Sequence, residues 1–216
     1  MSAGLHIAVF AKAPVAGSAK TRLIPLLGAE GAAEAHRIMT RHALRIACAA
    51  APGQVSLWSA GDPAHPFLQA CCEQFKVPQY QQQEGDLGQR MATCLRTLLS
   101  GNQRVLLIGS DCPALTSADL QLAAAALEGS ARMVFTPAED GGYVLVGARC
   151  NDEDGFTAAF DEITWSTVEV MAQTRTRFAA LGWQAGNDWA EMPMRWDVDM
   201  PADHLRAVEA GLLPAA

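Results

Sequence analysis

No stretch of the 216-residue chain is apolar for long enough to cross a membrane as a helix. The start, MSAGLHIAVFAKAP, has no cationic segment ahead of its short apolar run, so no secretory leader is expected. Positive charge is also scarce. Lys and Arg number 16 against 23 Asp and Glu, giving a formal net charge of -7 and a pI near 5.2. That balance argues against gripping a nucleic-acid polymer through bulk charge, and it makes any local cluster of cations informative. The six cysteines (Cys48, Cys71, Cys72, Cys94, Cys112 and Cys150) contain no C-x-x-C pair. A zinc site therefore has little support, and reduced, mostly buried thiols in a cytoplasm are expected. No Gly-x-Ser-x-Gly elbow and no G-x-G-x-x-G fingerprint occur, which disfavours a serine hydrolase and a dinucleotide-binding enzyme. The five histidines show no ligand-like spacing and read as structural or exposed. There are no internal repeats and no low-complexity linker.

What is present is a globular composition, half hydrophobic and 18% charged. The length suits one compact α/β domain over residues 1–216. Leu5 to Phe10 reads as a buried strand, Ala29 to Ala51 as a helix stopped by Pro52-Gly53, and Gln54 to Ala60 as a second strand. His65 to Phe75 reads as a helix and Val77 to Gln82 as a weak strand. The turn Gly85 to Gly88 opens a helix reaching about Leu99. Arg104 to Gly109 is a strand continuous in Val, Leu and Ile, and a helix capped by Thr116 or Ser117 follows it. Arg132 to Thr136 and Gly142 to Ala148 read as strands, with helices at Thr167 to Leu181 and Pro201 to Ala210. Strands alternating with helices imply a three-layer α/β/α architecture around a mostly parallel sheet. Ligands of such sheets gather at the carboxyl ends of the strands, where the loop after Phe10 and the turn at Asp111 both fall.

The segment Lys12 to Leu23 invites comparison with a P-loop, because Lys20-Thr21 follows a strand. Pro14 and Ala19 stand where that loop needs glycine, so backbone N–H groups cannot form the usual phosphate cradle. A loop with Lys12, Lys20, Arg22 and one glycine, Gly17, remains. Three clustered cations repel unless an anion or carboxylates share their site, so the loop reads as a phosphate binder or as a solvated surface loop. Asp111 ends a buried strand, where a carboxylate is costly unless solvated, paired or bound to Mg²⁺ or Mn²⁺; a simple turn-forming role is equally open. Asp197 and Asp199, two residues apart on an extended segment, point to one side and supply a second ligand, or Asp199 caps the last helix. Gly85-Asp86-Leu87-Gly88-Gln89-Arg90 precedes a helix and has N–H groups suited to a base or ribose. Asp140-Gly141-Gly142-Tyr143, between two strands, reads on its own as a hairpin turn. Trp165-Ser166-Thr167 reads as a cap.

Taken in order, F-A-K-x-P-x-x-G-x-x-K-T-R-L at Phe10 to Leu23, G-D-L-G-x-R-M at Gly85 to Met91, G-S-D-C-P at Gly109 to Pro113, D-G-G-Y-V-L-V-G at Asp140 to Gly147, W-S-T at Trp165 to Thr167 and D-V-D-x-P at Asp197 to Pro201 form a specific set. The set resembles a bacterial family of glycosyltransferase-like proteins in the nucleotide-diphospho-sugar transferase superfamily, some of whose members are named for arsenosugar biosynthesis. The resemblance implies the glycosyltransferase-A fold, with a first loop that binds nucleotide phosphates and Asp111 at the position of the superfamily's metal-binding aspartate. It implies Asp199 as the second ligand of Mg²⁺ or Mn²⁺, with Asp197 close by. It also sets aside the plain hairpin reading, placing Gly141 and Gly142 against the sugar or acceptor.

One departure bears on the reaction. Glycosyltransferases of this fold usually carry Asp-x-Asp after the fourth strand, whereas Asp111 is followed by Cys112-Pro113. A single aspartate before proline is closer to nucleotidyltransferases such as molybdopterin cofactor guanylyltransferase or phospholactate guanylyltransferase. The leading expectation is a metal-dependent transferase moving a sugar from a nucleotide-diphospho-sugar to a small acceptor. Lys20 and Arg22 would stabilise the departing diphosphate, Asp140 would act as acceptor base, and Lys12, Gly17, Gly85, Asp86, Gly88, Arg90, Gly141, Gly142 and Tyr143 would line the site. The alternatives are a nucleotidyltransferase releasing pyrophosphate and a non-catalytic nucleotide-binding protein.

Overall fold

The computed structural model describes residues 4–150 and 157–215. Its elements run β1 (Leu5–Lys12), α1 (Ile24–Ala50), β2 (Val55–Ala60), α2 (Pro66–Phe75), β3 (Gln79–Gln81), α3 (Leu87–Leu99), β4 (Arg104–Gly109), α4 (Ser117–Glu128), β5 (Met133–Pro137), β6 (Tyr143–Arg149), α5 (Val170–Ala180), β7 (Trp189–Glu191) and α6 (Pro201–Glu209). The strands form one sheet in the order β3-β2-β1-β4-β6-β5-β7. β1 pairs in parallel with β2 and β4, while β6 is antiparallel to both β4 and β5. The mostly parallel sheet expected from the alternation of elements is thus present, and β6, the antiparallel strand, makes it mixed.

Alternation along β1 shows why the sheet is covered on both faces. Ile7, Val9 and Ala11 pack with α1, α2 and α4, whereas Ala8 and Phe10 pack with α3. Further along the second face, Met133, Phe135 and Val146 meet Met171 and Phe178 of α5. A third, smaller cluster joins Leu23 and the α1 residues Ala32, Ala35 and Met39 to Val198 and to Ala207 of α6. This cluster pins the C-terminal segment beside the ends of β1 and β4. Burying Val198 completely contributes roughly 1.5–3 kcal/mol to that attachment.

Several local readings shift by a few residues. β1 extends to Lys12, because Lys12 still pairs with Ala60 of β2. α1 begins earlier than expected and is interrupted at Gly28, whose φ of 70° belongs to no helix. Thr116 caps α4 in a reciprocal box with Asp119. β7, three residues long, carries no periodic signal and is absent from the sequence reading. The turn at Gly141 and Gly142 joins two antiparallel neighbours and is a hairpin, and Gly142 also lines the cavity described below. Among the described residues no helix is long and apolar enough to cross a membrane.

Candidate active site

A cavity of about 970 Å³ opens over the carboxyl ends of β1 and β4 and the start of β6. Its floor carries Asp111, and Gly109 makes room for that carboxylate. A Cβ at Gly109 would stand 2.9 Å from Asp111 Oδ1. The backbone then ties Asp111 to the other acidic segment, since Val198 N–H donates to the Asp111 carbonyl at 2.9 Å. Cys112 Sγ donates to the Trp196 carbonyl at 3.2 Å, making a second tie. With Val198 buried between them, Asp197 and Asp199 both face Asp111, as period-two spacing requires. Carboxylate oxygens of all three lie within 4.8 Å of one another.

The cationic loop answers this cluster. Gly17, at φ 81°, turns the chain without meeting any neighbour, and Lys20 adopts a left-handed φ of 46° that aims its side chain inward. Lys20 Nζ donates to Asp111 Oδ2 at 3.2 Å and to Asp199 Oδ1 at 3.0 Å, with only 8% of its side chain exposed. Arg22 Nη1 donates to Asp199 Oδ2 at 2.7 Å and stays largely open to solvent. Burial penalises the Lys20 charge, but the Asp111 and Asp199 carboxylates outweigh it and hold the ammonium above its ordinary pKa. Burial likewise opposes the Asp111 charge, and Lys20 overcomes it, so the Asp111 carboxyl lies below the usual range. Asp197 has no such ion-pair partner among the described residues. Burial, then the charges of Asp111 and Asp140, push it up to about 7.

Asp199 is not spent as a helix cap. Asp203 does that work, its carboxylate accepting from Asp199 N–H at 3.1 Å and Met200 N–H at 2.7 Å. The loop itself is held from α1. His36 Nε2 bonds the Lys12 carbonyl at 2.9 Å, and Arg37 donates to the Pro14 carbonyl. His36 lines the cavity with its Nδ1 unpartnered, and burial lowers its pKa. Nothing in the sequence singles it out beyond its place on the helix after the loop.

Lys12, Arg22, Arg90, Asp111, Asp140, Gly142, Tyr143 and Asp199 line the cavity. Lys20 lies behind them against the carboxylates. Gly17, Gly85, Asp86, Gly88 and Gly141 stand outside the lining. Asp86 caps α3 in a reciprocal box with Gln89, so its carboxylate and its N–H are both occupied. Gly88 abuts Trp165, where a Cβ would stand 2.5 Å from the ring, and Gly141 backs onto the Val168 carbonyl. These contacts bring Trp165, Ser166, Thr167 and Val168 to the cavity, a wall that the cap reading of Trp165-Ser166-Thr167 did not anticipate. Gln82, which accepts from Arg90 Nη1 at 3.3 Å, was likewise missed as a lining residue.

Residues 43–167 match the family described as "Uncharacterized protein conserved in bacteria (DUF2064)". The chain belongs to that family. No curated protein matches it. Among solved structures, a protein of Desulfovibrio desulfuricans G20, provisionally named a nucleotide-diphospho-sugar transferase, shares 29% identity at a TM-score of 0.77, covering 93% of this chain and 84% of its own. A cytidylyltransferase of Leptospira borgpetersenii is similar at 14% identity and a TM-score of 0.60, over 97% and 87% of the two chains. Glucosyl-3-phosphoglycerate synthase of Mycobacterium tuberculosis, solved with Mn²⁺ and uridine diphosphate, follows at 11% and 0.55, over 98% and 78%. The fold is therefore that of the nucleotide-diphospho-sugar transferases, in which glycosyl- and nucleotidyltransferases share one sheet.

Proposed function

We propose that the protein is a metal-dependent transferase that takes a sugar from a nucleotide-diphospho-sugar and passes it to a small acceptor. The observation carrying this reading is the meeting of Lys20 and Arg22 with Asp111 and Asp199 at the edge of the cavity, with Lys12 on the same rim. The carboxylates are satisfied by an ammonium and a guanidinium, so the place both attracts a cation and holds cations that phosphate can recruit. A cluster of three oxygen donors suits Mg²⁺ or Mn²⁺ by size and hardness. Asp111 and Asp199 would hold that ion with Asp197 beside them, and it would supply neutralisation of diphosphate charge.

The chain's own groups do the rest. Lys12, Lys20 and Arg22 bind the diphosphate and stabilise the charge that grows as it departs. The acceptor's oxygen or nitrogen attacks the anomeric carbon, and the bond from that carbon to the diphosphate oxygen breaks with its electron pair going to the diphosphate. Asp140 takes the acceptor's proton. Its Oδ1 is fixed by Gly142 N–H at 2.9 Å, which orients the carboxylate beside the cavity. The reading takes residues 1–216 as one domain, since strands from β1 to β7 build one sheet under both walls.

A second reading, nucleotidyl transfer from a triphosphate, is favoured by a single feature: the turn after β4 carries one carboxylate, Asp111, followed by Cys112 and Pro113. Product identity separates the two. Nucleoside diphosphate should accumulate when a sugar nucleotide is supplied with Mn²⁺, and Asp111→Asn should abolish the metal requirement together with turnover. Release of pyrophosphate from a nucleoside triphosphate, with sugar nucleotides inert, would move the assignment to the second reading.

A further inference from the structure

The two walls of the cavity differ in charge in the same sense as the two halves of the sheet. Lys12, Arg22 and Arg90 stand on the side of β1 and α3. Asp140 stands on the β5–β6 hairpin, with Asp197 between it and the Asp111 and Asp199 carboxylates, and neither Asp140 nor Asp197 makes an ion pair among the described residues. Two further carboxylates on that wall are already satisfied. Glu139 accepts from both terminal nitrogens of Arg206 at 2.7 and 3.1 Å, and Asp203 closes the N-terminus of α6.

Three main-chain donors on this wall are spent in the same way. Gly142 N–H points to Asp140, and the N–H groups of Asp199 and Met200 point to Asp203. The wall consequently offers hydrogen-bond acceptors and unbalanced negative charge. Beside these carboxylates stand Ser166 and Thr167 and an apolar part: Trp165 forms one side, and Val168 and Met200 leave 71% and 49% of their surface exposed.

We propose that this wall takes an acceptor that is uncharged or cationic, carries a hydroxyl or amine, and presents an apolar face to Trp165. A phosphorylated or carboxylated molecule of the same shape is rejected, because like charge meets Asp140, and the nearest main-chain donor, Gly142 N–H, is already spent on that carboxylate. This rests on the reading above, in which the nucleotide occupies the opposite wall.

Three probes of one shape test it: phenyl β-D-glucopyranoside, its 6-amino-6-deoxy analogue and phenyl β-D-glucuronide. Each is titrated calorimetrically into the full chain held with Mn²⁺ and either uridine or guanosine diphosphate. The neutral and cationic probes should bind at least about tenfold more tightly than the glucuronide, the scale of one unrelieved like-charge contact. Asp140→Asn keeps an acceptor for Gly142 N–H and should narrow the gap to about threefold or less. Equal or tighter binding of the glucuronide, a gap unmoved by Asp140→Asn, or no binding of any probe while the nucleotide binds overturns the proposal. Failure of both diphosphates to bind instead overturns the functional reading beneath it.

Discussion

Replacing Lys20 by Met tests the central arrangement, because the aliphatic stem is kept and only the charge is removed. The ammonium is almost wholly buried and holds two carboxylates. Removing one partner of a fully buried ion pair costs about 3–5 kcal/mol. Here Asp111 and Asp199 keep 39% and 41% of their side-chain surface open, and Arg22 still pairs with Asp199. Solvent screening and that remaining partner reduce the expected loss to about 1–3 kcal/mol. For a chain of this length, the melting temperature should fall by roughly 3–10 °C. Added Mn²⁺ should then act oppositely on the two proteins' difference. In the wild type an incoming cation must displace the ammonium, whereas in Lys20→Met the carboxylates are free. Breaking even about 1.4 kcal/mol of pairing corresponds to a tenfold change in affinity, so Mn²⁺ should bind the variant at least about tenfold more tightly. Nucleoside diphosphate should bind it more weakly. Thermal unfolding with and without Mn²⁺, and calorimetric titration of Mn²⁺ alone, provide the measurements. Equal Mn²⁺ affinity in both proteins, with an unchanged melting temperature, refutes the shared-site reasoning.

Other outcomes are equally specific. Asp197 has its carboxyl raised from 3.8 to about 7, so its contribution to stability is full below pH 4 and is lost as the pH rises through 7. The metal-free wild type should lose stability over that window, and Asp197→Asn should flatten the loss in urea titrations at several pH values; identical profiles would count against the geometry. Gly141→Ala places a Cβ 2.0 Å from the Val168 carbonyl at φ 90°, and should cost at least about 2 kcal/mol in urea unfolding. Gly17→Ala, at φ 81° with open space around it, should cost only about 1 kcal/mol. Equal losses in the two variants would show that the Val168 contact is not what fixes the hairpin.

The sheet was legible where hydrophobic runs carried it. Ile7 to Phe10 and Val105 to Ile108 announce buried strands by composition alone. Strand direction was not legible, since an apolar run such as Val144 to Val146 reads the same for a parallel and an antiparallel neighbour; only the Gly141-Gly142 turn hinted at the answer. The pairing of cations with carboxylates was foreseeable from the repulsion among Lys12, Lys20 and Arg22, while the choice of Lys20 as the bridging group depended on a left-handed backbone that sequence does not display. Asp86 looked like a ligand contact although the Asp-x-x-Gln spacing with Gln89 was already the mark of a capping box. Trp165 reaches the cavity only because Gly88 leaves room for its ring, a contact between residues 77 positions apart in the chain.

The strand order has a consequence for how such a site changes over time. The wall that bears Lys12, Arg22 and Arg90 is encoded before β4, and the wall that bears Asp140, Trp165 and Asp197 is encoded after it. Under the proposed function, substitutions in the second stretch, Asp111 and Asp199 apart, would retune the choice of acceptor while Lys12, Lys20 and Arg22 stay under separate selection. On that reading, descendants of one ancestor would diverge in what they modify while keeping the loop proposed to hold the diphosphate.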